Sequence, residues 1–235
     1  MYRLIAAWLL VVVTAPFSFA EEPVRERIEW LDIWVTNATK NDLPRVLFIG
    51  DSITRGYFGE AEKQLQGTAH CARLATSKCV ADPSFADELQ LLLKQYDFDV
   101  IHFNNGLHGW GYTEEEYRAG LDKCLGTINK HAPDAKLVWA ATTPVRQAGE
   151  LETFGERNER ARARNRIAAE LMEQRKIPTN DLYGLVVSHP EWSVNDGVHF
   201  NQEGRKAQGA AVAASVRKVL PPQNATEKPS SNNGQ

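Results

Sequence analysis

The chain has 235 residues, 43% of them hydrophobic and 24% charged, with a formal net charge of −3. That is the balance of a globular domain with a full core, and its mild acidity without a long basic run excludes an electrostatic fit to nucleic acid. Three cysteines and six histidines, none at paired ligand spacing, give no metal site.

Met1 to Ala20 starts with Arg3, runs apolar from Leu4 to Val13 and closes on Ser18-Phe19-Ala20. These are the features of a cleavable secretory signal, too short in its apolar part to span a bilayer. They predict a secreted or periplasmic protein with no stable membrane anchor, a single domain over 21–220 and a disordered tail rich in Pro, Ser and Asn over 221–235. Residues 23–41 mix charge with Val24, Ile28, Trp30, Leu31, Ile33 and Trp34, a spacing that predicts an amphipathic helix with both tryptophans in the core.

Val46-Leu47-Phe48-Ile49 reads as a buried strand that breaks at Gly50-Asp51-Ser52 into a helix. Strands follow over 69–75, 98–103, 136–142 and 177–183, and helices over 83–96, 113–130, 150–174 and 204–220. Thr113 and Glu116 form a capping box at the start of the third of these alternations. Alternating strands and helices predict a doubly wound α/β fold, with a five-stranded, mostly parallel sheet covered by helices on both faces.

In such a sheet, the carboxyl ends of the strands border the ligand crevice. Ser52 sits there, at the end of a central strand. Far along the chain, Asn195-Asp196-Gly197-Val198-His199 places a carboxylate and an imidazole three residues apart. A serine hydroxyl needs a base, and the base needs a third group to fix its tautomer, so Ser52, His199 and Asp196 are candidates for nucleophile, base and orienting acid. Asp51, beside Ser52, is read either as a helix cap or as a substrate contact.

With these blocks in place, the chain resembles the SGNH/GDSL hydrolase family. The first block corresponds to Val46–Tyr57, the last to Asp196–Gly204, and a divergent middle block to Asp99–Gly109. The resemblance covers about 44–220 and implies a three-layer α/β/α fold and a cofactor-free serine esterase working through an acyl-enzyme. Its middle block, Gly-x-Asn-Asp in the family, reads Gly106-Leu107-His108-Gly109 here. His108 then stands where the family's oxyanion asparagine stands, with Asn104 or Asn105 as substitutes, beside the backbone N–H of Ser52. The family's second block supplies a glycine N–H, but no glycine lies in 77–82, so the N–H of Ser77 or Lys78 is the expected replacement.

Trp110 and Tyr112 follow His108 and are read either as a platform for a sugar ring or as packing under a glycine-rich loop. Arg157, Arg160, Arg162, Arg164 and Arg166 alternate with glutamates, which predicts a solvated helix face. His102, inside a strand, is expected to be a core histidine. Cys71 and Cys79 are expected either to close a short disulfide loop, leaving Cys124 over, or to be buried thiols like it. The substrate expected is a small molecule or polysaccharide ester, with O-acetyl groups on carbohydrate preferred to a long-chain lipid or lysophospholipid. A catalytically silent carbohydrate-binding member of the fold is the alternative from another class.

Overall fold

A computed structural model describes residues 23–222. The expected signal segment and nearly all of the expected tail lie outside them.

The structure is built on one sheet whose strands β1 (Leu31–Val35), β2 (Arg45–Gly50), β3 (His70–Thr76), β4 (Val100–Phe103), β5 (Lys136–Ala140) and β8 (Thr179–Asn180) lie in the order β1-β3-β2-β4-β5-β8. All neighbours are parallel except the edge strand β1, which runs antiparallel to β3. Strand β2 is buried along its whole length because helices cover both faces, which is why Val46–Ile49 reads as a continuous apolar run rather than an alternation. Helices α1 (Ser52–Leu65), α5 (Leu182–Val186) and α6 (Gln202–Arg217) pack with Phe48, Val100 and Ala140 on one face. On the other, α2 (Phe85–Leu93), α3 (Glu114–His131) and α4 (Asn158–Arg175) pack with Leu47, Ile101, Phe103 and Trp139. This is the expected three-layer α/β fold. It has six strands in its main sheet where five were expected.

The sixth strand replaces the helix expected over 23–41. Residues 23–30 run as an irregular strap, and Leu31–Val35 then extends the sheet along β3. Trp34 is exposed on this edge and Trp30 only partly buried, so neither belongs to the core. The apolar residues recur at helical spacing, but Ile33 and Val35 are β-branched and two apart, and pairing as a strand satisfies the edge N–H and C=O groups of β3 that a helix would have left unpaired.

The helix expected over 150–174 is also shorter than its pattern. Arg146–Gln147 (β6) and Glu150–Phe154 (β7) form a hairpin, and α4 starts only at Asn158. Gly149, at φ +82°, makes the turn between the two strands. Cys71 and Cys79 lie in the cores on opposite faces of the sheet, so the short disulfide loop does not form. All three cysteines are buried free thiols.

Candidate active site

Ser52 is the first residue of α1, directly after β2 and the Asp51 cap. A strand that ends in Gly50 turns sharply into this helix. A Cβ on Gly50 would lie 2.1 Å from Thr54 Oγ1, so the turn closes only on glycine. The Asp51 side chain accepts the Ile53 N–H at 2.9 Å and is buried, so Asp51 caps the helix, and it does not line the cavity. As the first helical residue, Ser52 keeps its own N–H among the donors that a helix leaves without an internal acceptor.

Opposite Ser52, residues 195–199 fold back on themselves. Gly197 takes a left-handed conformation at φ +74°, and a Cβ there would lie 2.2 Å from the Arg146 carbonyl oxygen. Asp196 Oδ1 accepts the N–H groups of Val198 and His199 at 2.8 and 2.9 Å, while Oδ2 lies 2.7 Å from His199 Nδ1. His199 Nε2 lies 2.8 Å from Ser52 Oγ. Burial works to raise the Asp196 pKa, but the hydrogen bonds from the His199 N–H, the imidazole and the Val198 N–H outweigh it and hold the carboxyl below its ordinary range. A carboxylate, an imidazole and a hydroxyl are thus joined in line. This arrangement can move the serine proton onto Nε2 while the carboxylate keeps the other ring proton on Nδ1.

The β6–β7 hairpin supports the turn. The Arg146 N–H donates to the Gly197 carbonyl at 2.7 Å, and the Gly149 N–H to the Asn195 carbonyl at 3.1 Å. The Arg146 guanidinium is buried and reaches the carbonyls of Leu151 and Val187. Sequence reasoning missed this support because it ran α4 through the hairpin; Gly149 was the signal for the turn.

A cavity of about 1020 Å³ opens above the three residues. His108 and Trp110 line it, but Ser77, Asn104 and Tyr112 do not. The Ser77 N–H is spent on the Trp30 carbonyl, and its hydroxyl accepts from the Trp30 N–H at 2.9 Å. The Lys78 N–H is likewise taken by Thr76 Oγ1 at 3.1 Å. The Asn104 amide donates to the Ala140 carbonyl at 2.7 Å and to Thr142 Oγ1 at 3.3 Å, which fastens β4 to β5. The Asn105 amide accepts from the Val80 N–H and donates to the Lys78 carbonyl, tying the loop after β3 to the loop after β4. Tyr112 is buried, and its hydroxyl accepts the Val24 N–H at 2.9 Å. None of these side chains lines the cavity. The loop that in other sequences of this pattern carries a glycine serves here as packing: Cys79 lies where a Cβ on Gly109, at φ +63°, would approach to 2.3 Å.

Of the expected oxyanion and substrate residues outside the Ser52–His199–Asp196 group, His108 and Trp110 remain at the cavity. His108 Nδ1 lies 2.9 Å from Glu26 Oε2. The Trp110 ring is surrounded by the guanidinium groups of Arg157, Arg160 and Arg164, at 5.2, 5.7 and 4.8 Å from its centroid. The expected solvated arginine face is therefore only partly right. Arg164 is fully buried and Arg160 half-buried, and both hold the loop that carries His108 and Trp110. Arg164 and Glu26, like Arg146 of the hairpin, are residues near the site whose roles the sequence did not bring forward.

Residues 48–207 match the family model described as GDSL-like lipase/acylhydrolase. The chain belongs to that family. It is accordingly a serine ester hydrolase by family, and its fold agrees with solved structures of similar enzymes. A carbohydrate acetylesterase from Sinorhizobium meliloti superposes with a TM-score of 0.64 at 18% identity, over 75% of this chain and 100% of that one. The inhibitor-bound aryl esterase of M. smegmatis gives 0.61 at 17% identity, over 75% and 100%. An acetyl xylan esterase gives 0.57 at 16% identity, over 73% and 99%. No curated protein matches the chain in sequence. The family match begins inside β2, so the strap and β1 lie outside it.

Proposed function

We propose that this family member is an exported esterase that removes short acyl groups, O-acetyl above all, from a carbohydrate. The observation that carries the reading is the unbroken line Asp196–His199–Ser52 at the floor of a wide cavity. Ser52 Oγ attacks the ester carbonyl carbon as its proton passes to His199 Nε2. The C–O bond to the alcohol then breaks, and the alcohol leaves with that proton. Water repeats the two steps on the acyl-enzyme and frees the acid. Asp196 stays charged throughout and balances the imidazolium.

The Ser52 N–H, at the start of α1, is aimed to meet the oxyanion, and His108 supplies the second contact. The walls support a polar substrate: beside Trp110 they carry Arg27, Gln147, Glu156 and Arg157, and the strap crosses one side. Val24, Leu107, Val145 and Val198 share the lining with these polar residues, a mixed wall suited to a short acyl group on a polar alcohol. The acetyl-group activities named for two of the similar structures agree with this choice.

The test is trapping and turnover together. A fluorophosphonate probe should add one label to the wild type and none to Ser52→Ala, and p-nitrophenyl acetate and acetylated xylo-oligosaccharide should be hydrolysed faster than an octanoyl ester. Preference for the octanoyl ester would move the substrate to lipids. Absence of labelling in folded protein would leave a carbohydrate-binding protein.

A further inference from the structure

We propose that Glu26 is a positioning residue for ester hydrolysis, pairing through Nδ1 with a doubly protonated His108 ring that donates from Nε2 to the oxyanion; this rests on the esterase reading above. Glu26 comes from the strap before β1, outside the family match, yet it lines the cavity with Ser52 and His199. Both carboxylate oxygens are used on the loop after β4. Oε1 accepts the Gly109 N–H at 2.8 Å, and Oε2 meets His108 Nδ1 at 2.9 Å. The strap around Glu26 is fastened on each side. The Val24 N–H is held by Tyr112, Glu29 pairs with Lys78 at 2.5 Å, Trp30 bonds with Ser77, and Arg55 stacks on Trp30 at 4.7 Å.

A carboxylate only accepts, so His108 must carry a proton on Nδ1. Its Nε2 is then the nitrogen left for substrate, just as His199 turns Nε2 to Ser52 while Asp196 holds Nδ1. A neutral ring with its proton on Nδ1 cannot donate from Nε2. Donation requires the second ring proton, and Glu26 lies where it balances that charge. Arg55 lies behind the Trp30 ring that His108 meets edge-on and Arg164 on the His108 carbonyl, while Arg25, Arg27, Arg146, Glu156, Arg157, Asp196 and His199 are the other charged or titratable groups lining the same cavity.

Glutamine at position 26 separates this role from packing. Its carbonyl can accept from Gly109 while its amide donates to Nδ1, which moves the proton of a neutral ring to Nε2. Glu26→Ala should lower kcat about tenfold or more and leave KM within about twofold. Glu26→Gln should keep most of kcat. The Glu26→Ala, His108→Ala double variant should be no slower than His108→Ala, because Glu26 acts through that ring. A kcat that is unchanged or raised in Glu26→Ala, or a double variant with additive losses, overturns the proposal.

Nitrogen-15 spectra of the His108 ring give a readout that needs no turnover. The wild type should be protonated at Nδ1, and Glu26→Gln at alkaline pH should show the Nε2-protonated form. Identical ring spectra in the two proteins would overturn the proposal even if esters are hydrolysed. A switch of ring form in a protein whose Ser52 hydrolyses nothing would count against the esterase reading instead.

Discussion

Arg164 reaches the carbonyl of His108, fifty-six residues earlier in the chain, at 2.6 Å. The same guanidinium donates to the carbonyls of Gly106 and Gly109 at 3.0 Å each and lies under the rings of Trp110 and Tyr117. One fully buried side chain thus satisfies three carbonyls of the loop that brings His108 to the cavity. Arg164→Met should keep the volume but leave those carbonyls unsatisfied, at about 1–3 kcal/mol for each buried group. Urea unfolding should show a loss of at least about 3 kcal/mol, and hydrolysis should fall with it. Arg164→Lys should recover little, because an ammonium on a flexible stem cannot span the fork of acceptors.

The Asp196 carboxylate does two jobs that one substitution can separate. Oδ1 builds the turn through two backbone N–H groups, and Oδ2 orients His199. Asp196→Asn can still accept at the turn, but its amide donates to Nδ1 and selects the wrong tautomer of His199. The expected outcome is a fold and melting temperature near wild type with kcat lowered roughly 10³- to 10⁴-fold and KM little changed. Asp196→Ala should lose stability as well, because the turn loses its acceptor. Equal kcat values for the Asn variant and the wild type would remove Asp196 from the reaction.

The contrast between what the sequence showed and what it hid follows from the range of the interactions. Strand β2, its break at Gly50 and the capping box at Thr113 are local patterns, and the structure has each where local chemistry puts it. The pairing of Ser52 with an imidazole 147 residues away, and with the carboxylate beside it, was legible only because two short blocks were read together. The strap was not legible, since its contacts with Tyr112, Ser77 and His108 are all long-range and its apolar spacing fits a helix as well as a strand. Arg164 looked like one more charge on a mixed-sign helix face. Only the helix's rotation against the loop after β4 decides that Arg164 is buried while Arg162 and Arg166 stay exposed.

The thiols provide a check on the packing of both cores. Burial pushes the pKa values of Cys71 and Cys124 up to about 12 and also raises that of Cys79. A thiol that is both buried and protonated is a poor nucleophile. Native protein should therefore release almost no thiolate product from Ellman's reagent over minutes at pH 8, while unfolded protein should react at three sites. A reductant should leave the melting temperature unchanged. Fewer than three reactive sites after unfolding without reductant would reveal a disulfide and overturn the placement of Cys71 and Cys79 on opposite faces of the sheet.

His102 links stability to pH independently of the reaction. It lies in β4, fully buried between Phe48 and Tyr57, with Nε2 accepting from the Asn180 amide at 3.2 Å and Nδ1 without a partner among the described residues. Burial lowers its pKa to about 3, against 6.5 for a free histidine. Between those values the unfolded chain binds a proton at this residue and the folded chain does not, so acid favours unfolding. No penalty exists above pH 6.5; below it the loss grows by at most about 1.4 kcal/mol per pH unit until the folded-state value is reached. His102→Gln keeps an acceptor for Asn180 and cannot titrate. It should be less stable than the wild type at pH 7.5, where only its poorer packing counts. Denaturant unfolding at pH 4.5 should then show the difference shifted in favour of the variant by about 2–3 kcal/mol. Parallel stability curves for the two proteins over that interval would mean that His102 is protonated in the folded state, and that the centre of the sheet admits a charge.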